Sequence, residues 1–160
     1  MNTPIYAEGF PPVFDDKSRV LILGSFPSVK SREIGFYYGN KQNRFWRTVC
    51  GFFGEEVPQT VEEKRAFLLR RNIALWDVIT SCEIVGSSDA SIRKETVADI
   101  PALMKNSKIQ RILCNGTKSF SLLAEKFPAL LQMAVKMPST SPANPRFSKE
   151  TWVEELKRIF

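Results

Sequence analysis

A chain of 160 residues with 43% hydrophobic and 25% charged residues has the make-up of one globular domain and not of a disordered segment. Its 23 Lys plus Arg against 17 Asp plus Glu leave a formal net charge of +6, which suits a polyanionic partner and equally serves plain solubility. Histidine is absent, which excludes Ser-His-Asp and Cys-His hydrolases and leaves amides, carboxylates, hydroxyls, lysines and backbone groups to carry any chemistry.

In chain order, residues 1–18 read as an irregular arm, punctuated by Pro4, Gly9, Pro11 and Pro12 and turned at Asp15 and Asp16. Arg19–Gly24 is a short apolar run ended by glycine, the pattern of a buried parallel strand. A long polar and aromatic loop follows, from Ser25 to about Gln42. The next segment predicts a helix with Phe45, Trp46, Val49 and Phe53 on one face, stopped by Gly54. Thr60 and Glu63 form a capping-box pattern that opens a helix to Arg71, and residues 72–79 are a second strand.

Residues 82–94 read as loop, with a turn at Gly86–Asp89. A helix is expected over Val97–Lys105, a strand over 108–116 and a helix over Lys118–Lys126 capped by Thr117. A fourth strand is expected near Gln132–Lys136, and Ser148 caps a last helix to Phe160. This alternation predicts a single α/β domain over residues 1–160. Its expected form is a three-layer α/β/α sandwich around a four-stranded, mostly parallel central sheet. In such folds ligands bind beyond the carboxyl ends of the strands. The candidate site is therefore the loop after Gly24, the strand end at Asp77, the turn at Asn115-Gly116 and the loop Pro138–Pro145.

Two of these segments are unusual. After Gly24, Pro27 forces a rigid turn whose backbone amides could face an anion or a carbonyl. Tyr37 and Tyr38 then offer flat surfaces for a base, and Asn43 stands at the mouth of the first helix. The plain alternative makes Asn43 a helix cap and the aromatic residues a core patch. The second segment, from Pro138 to Pro145, sets Ser139, Thr140, Ser141 and Asn144 among prolines. A stiff turn of that kind can hydrogen-bond phosphate, or can simply connect two elements.

Cys50, Cys82 and Cys114 lie far apart and form no CxxC pair, so no zinc or iron–sulfur spacing is present, and neither metal nor other cofactor is expected. No apolar run approaches the ~18 residues of a membrane span. The odd cysteine count, with no signal peptide, fits a reducing, cytoplasmic setting, and a monomer without membrane partners is expected.

Taken as an ordered set, Gly24-Ser25-Phe26-Pro27, the paired Tyr37 and Tyr38, the Asn43, Phe45, Trp46 element and the run Pro138–Asn144 resemble the signature loops of the uracil-DNA glycosylase superfamily. The likeness is greatest to its hypoxanthine-DNA (deoxyinosine) glycosylase branch. It extends from residue 19 to 145, and Ala74–Asp77 is similar to the strand that presents a base-reading side chain. The uracil-specific branch carries an aspartate in the first motif and a histidine in the second, and the mismatch-specific branch an asparagine in the first. The thermophile branches carry four cluster cysteines. None of these is met here.

The resemblance implies an enzyme that binds DNA containing a deaminated base, flips the base out and hydrolyses its N-glycosidic bond in base excision repair, without cutting the strand. It implies Asn43 as the catalytic amide, with Asn40 as the other candidate. Gly24, Ser25, Phe26, Pro27, Tyr37, Tyr38, Asp77 and Asn115 would bind the base, and Ser139, Thr140, Ser141 and Asn144 the DNA backbone. An ionised Asp77 would accept the N1 proton of hypoxanthine and repel the N1 lone pair of adenine, but would also accept the N3 proton of uracil. Its plain alternative is a capping or salt-bridging carboxylate. A uracil or mixed-specificity glycosylase and a catalytically silent nucleic-acid binding module are the competing readings. A hydrolase using Ser25 is disfavoured by the missing histidine.

Overall fold

The computed structural model describes residues 3–160. Its centre is β2 (Val20–Gly24), buried at every position because both of its faces are covered. Parallel neighbours flank it, β3 (Ile73–Asp77) on one side and β6 (Arg111–Asn115) on the other, and β7 (Ala134–Met137) adds to β6. The four strands, in the order β3-β2-β6-β7, make a sheet that is parallel throughout.

Strand alternation sends side chains to two separate cores. Leu21 and Leu23 pack on one face with Ile100 and Leu103 of α4 (Ile100–Lys105) and Leu122 and Leu123 of α5 (Thr117–Lys126). Val20 and Ile22 pack on the other face with Phe45, Trp46 and Val49 of α2 (Phe45–Phe52). That second core also takes Phe67 and Leu68 of α3 (Val61–Arg70) and Trp152 and Leu156 of α6 (Lys149–Ile159). The expected three-layer α/β fold is thus present. Thr60 and Ser148 cap α3 and α6 through the amides of Glu63 and Thr151.

The structure departs from the expected elements in five places. The arm is not wholly irregular: β1 (Ile5–Glu8) pairs antiparallel with β4 (Ile79–Ile84), while Met1 and Asn2 lie outside the described residues. The segment expected as loop after residue 81 continues β4 and then forms β5 (Arg93–Val97). The result is a second, antiparallel sheet ordered β1-β4-β5. Val97 therefore belongs to a strand, and the helix expected from it begins only at Ile100, where Asp99 accepts from the Ala102 amide and Pro101 fits the first turn. The loop after β2 carries a short helix, α1 (Val29–Ile34), capped by Ser28 and closed by Gly35 at φ 86°. Finally, Gly116 rather than Thr117 occupies the cap position of α5.

Candidate active site

All four strands of the parallel sheet end at one cleft of about 340 Å³. Gly24 and the turn to Ser28 come from β2, Asp77 from β3, Asn115 from β6, and Ser139–Ala143 from the loop after β7. Of the residues expected at the site, all but Asn144 border this cleft, and Asn40 borders it as well.

The start of α2 and the serine–proline turn are clamped together. The Arg44 amide donates to Thr140 O at 3.0 Å, and Arg44 Nη2 donates to Ser141 O at 2.5 Å and Asn144 O at 2.8 Å. The guanidinium also lies 4.5 Å from the centroid of the Phe147 ring. Asn43, the residue before it, accepts from the Phe45 amide through Oδ1 at 2.9 Å, which fixes the plane of its carboxamide. It is not the formal helix cap, a place taken by Arg44 without a side-chain bond.

The two tyrosines diverge. Tyr37 is buried, and its hydroxyl lies 2.9 Å from Pro11 O and 3.2 Å from Phe10 O, positioned to donate to them. It also accepts the Trp46 indole through its own carbonyl and so ties the loop to the core. Tyr38 adopts φ 54°, unusual for a side chain of its size, and stacks on Phe45 with centroids 4.3 Å apart. Its hydroxyl is buried without a protein partner. Burial first, then the Asp77 charge, push the ionisation of both phenols far above the ordinary range, so both stay protonated.

Asp77 is buried against Gly24, and its Oδ2 finds no protein partner. A Cβ at Gly24 would stand 2.3 Å from Asp77 Oδ1 and 3.3 Å from the Tyr38 hydroxyl, so only glycine leaves room for the carboxyl there. Loss of hydration raises the Asp77 pKa to about 7, with the nearby Asp89 charge adding to the shift.

Asn115 and Thr140 bond reciprocally: Asn115 Nδ2 donates to Thr140 Oγ1 and the Thr140 amide donates to Asn115 Oδ1, both at 2.9 Å. Thr140 is buried, so it shapes the turn from inside. Ser139 Oγ and Ser141 Oγ accept from the amides of Ser141 and Ala143, and Asn144 Nδ2 donates to Ser139 O. These bonds make the turn rigid. Asn144 acts there and not on the cleft wall.

Sequence reasoning missed Asp89, Ser28, Ser31 and Ser87, which also border the cleft. Ser25 Oγ donates to Asp89 Oδ1 at 3.0 Å across 64 positions of chain. The turn at Gly86–Asp89 was visible in the sequence, but nothing in it says that the turn folds back over the first motif.

A parallel-sheet α/β fold whose strand-end loops enclose a cleft lined by aromatic rings and by the unpartnered oxygens of Asp77 and Tyr38 defines the class of protein with its candidate ligand site beyond the strand ends. Residues 11–158 match the family model described as Uracil DNA glycosylase superfamily, and the chain belongs to this superfamily. It is 40% identical over 146 residues to a protein named hypoxanthine DNA glycosylase from Methanosarcina acetivorans, covering 88% of this chain and 90% of that one. It is 35% identical over 159 residues to one of the same name from Methanosarcina barkeri, covering 94% and 98%. Among solved structures it is similar to a solution NMR structure of a provisionally assigned uracil DNA glycosylase from Methanosarcina acetivorans. The TM-score is 0.82 and the identity 35%, over 97% of this chain and 99% of that one.

Proposed function

We propose that the chain is a monofunctional DNA glycosylase that everts a deaminated base, hypoxanthine first, and hydrolyses its N-glycosidic bond. The observation that carries this reading is the buried Asp77 carboxyl, with an unpartnered oxygen, on the wall of a cleft of about 340 Å³. Relatives at 35–40% identity that bear the name hypoxanthine DNA glycosylase support it.

A base inside a duplex is out of reach, so the nucleotide rotates out, at a cost that a mispair lowers. The Tyr38 and Phe26 rings offer it flat surfaces. Ionised Asp77 accepts the N1 proton of hypoxanthine, where adenine would present a lone pair against it. As the C1′–N9 bond breaks, its electrons leave with the purine, and backbone amides of the Ser25-Phe26 turn stabilise that charge. Asn43, held by the Phe45 amide, orients the water that bonds to C1′. An amide is a weak base, which is enough because the oxocarbenium-like sugar demands little of its nucleophile. Among the described residues the cleft lining holds no lysine, which supports hydrolysis without a Schiff base and without strand cleavage.

Uracil is the second reading for the substrate, because its N3 proton suits Asp77 equally. The test incubates the protein with duplexes bearing hypoxanthine, uracil or xanthine, followed by alkaline scission and, in parallel, by borohydride. Release greatest from hypoxanthine, with no trapped covalent adduct, is the expected result. Salt-sensitive DNA binding with no release from any duplex would leave only a binding module, and a trapped adduct would remove the monofunctional assignment.

A further inference from the structure

Cleavage of the glycosidic bond builds positive charge on the deoxyribose, which a neutral amide such as Asn43 cannot offset. Among the described residues, the ionisable side chains bordering the cleft are Tyr37, Tyr38, Asp77 and Asp89. Both phenols stay neutral, and Asp77 is committed to the base edge in the reading above.

Asp89 has different surroundings. It is only half-buried, and it lies in a one-turn 3-10 segment, Asp89–Ser91, between β4 and β5. Ser25 donates to it from the loop after β2, and Lys118 of α5 adds a favourable charge. Burial, the largest influence, raises its pKa above the ordinary carboxylate value, and the Ser25 bond and the Lys118 charge oppose that rise; Asp77 at the end of β3 faces it as a second carboxyl. Its mounting is rigid. Arg32 Nη2 of α1 donates to Gly86 O at 2.6 Å, the Val29 amide donates to Ser87 Oγ at 2.9 Å, and Ser91 Oγ donates to Ser88 O at 2.7 Å. A carboxylate fixed before DNA arrives needs no reorganisation when charge appears beside it.

We propose that Asp89, held by Ser25, is the anion that stabilises the cationic sugar during bond cleavage. This inference rests on the glycosylase reading above. Asp89 forms no covalent bond: the C1′–N electron pair leaves with the base, and a water oxygen bonds to C1′. The proton shed by that water passes through solvent to the departed base.

The test compares wild type with Asp89→Asn, which keeps an acceptor for Ser25. Two uncleavable duplexes serve as probes, one with a pyrrolidine abasic analogue, protonated on its ring nitrogen, and one with a neutral tetrahydrofuran analogue. Asp89→Asn is expected to weaken the pyrrolidine duplex about tenfold and leave the tetrahydrofuran duplex within about twofold. Single-turnover release from a deoxyinosine duplex should fall about 10²-fold. Ser25→Ala should give a smaller loss in the same direction, and no further loss when added to Asp89→Asn. Equal weakening of the two duplexes would reveal a merely structural role, and release within about threefold of wild type would remove the catalytic one; either overturns the proposal. A wild-type chain that releases no base overturns the parent reading as well, whereas an active wild type with an equally active Asp89→Asn overturns this inference alone.

Discussion

Asn43 and Asn40 lie three residues apart on the same cleft, and their neighbours, not their own side-chain bonds, separate them. Asn40 is occupied in a turn, accepting from the Gln42 amide through Oδ1 and from the Asn43 amide through its carbonyl, both at 2.9 Å. Asn43 likewise accepts through Oδ1, from the Phe45 amide at 2.9 Å, and what sets it apart is its neighbour Arg44, whose amide and guanidinium bond to the serine–proline turn. Asn43→Ala is expected to slow single-turnover release from a deoxyinosine duplex by about 10²–10³-fold, with Asn40→Ala close to wild type. Near wild-type release by Asn43→Ala would take it out of the mechanism. Asp77 makes a prediction of another kind. Its folded pKa, about 7, lies above the ordinary 3.8, so the folded state binds its proton more tightly than the unfolded chain does. That contribution to stability is whole below about pH 4 and is lost as the pH rises through about 7. Asp77→Asn should therefore raise the melting temperature more at about pH 8 than at about pH 5, and should narrow the preference for deoxyinosine over deoxyadenosine. An unchanged melting curve at both pH values would mean that the carboxyl pays nothing for its burial.

At the scale of elements, the site depends on the joint between α2 and the serine–proline turn. Arg44 makes it with a planar fork that reaches two carbonyls and a face that covers Phe147. Lysine keeps the charge but has neither the fork nor the flat face. Arg44→Lys is expected to destabilise the protein by about 1–3 kcal/mol and to slow base release, read by thermal melting and single-turnover kinetics on one preparation. Unaltered release in a protein of lowered melting temperature would show that the turn's position does not matter to the chemistry. The buried strands β2, β3 and β6 were legible as apolar runs, α2 by its apolar periodicity, and α3 and α6 by their Thr60 and Ser148 caps. By contrast, β5 exposes Arg93–Thr96 and carries no such pattern, and β1 buries only Ala7. Those strands exist because β4 pairs with both of them. Similarly, α1 has six residues, too few to show a period, and is set by Ser28 and by the Arg32 and Val29 bonds to the Gly86–Ser87 turn.

Over the whole molecule the excess of basic residues becomes a measurable expectation. If about four phosphates are neutralised on binding, affinity for duplex DNA should fall roughly a hundredfold for a fourfold rise in salt. A flat salt dependence in a fluorescence-anisotropy titration would contradict backbone binding. No helix among the described residues is long and apolar enough to cross a membrane.

The fold class and the four segments of the cleft were determined by the sequence itself. A buried parallel strand needs an unbroken apolar run, and the polar loops that follow such runs must emerge together at one end of the sheet. Contacts between distant residues were decided only by the tertiary structure. Ser25 meets Asp89 across 64 positions and Arg44 reaches Ser141 across 97. Tyr37 turned into the core while Tyr38 kept to the cleft, and Asp77 lost its water. Local spacing carries no record of which loop folds over which, and a carboxyl's pKa is fixed by the neighbours that folding brings to it.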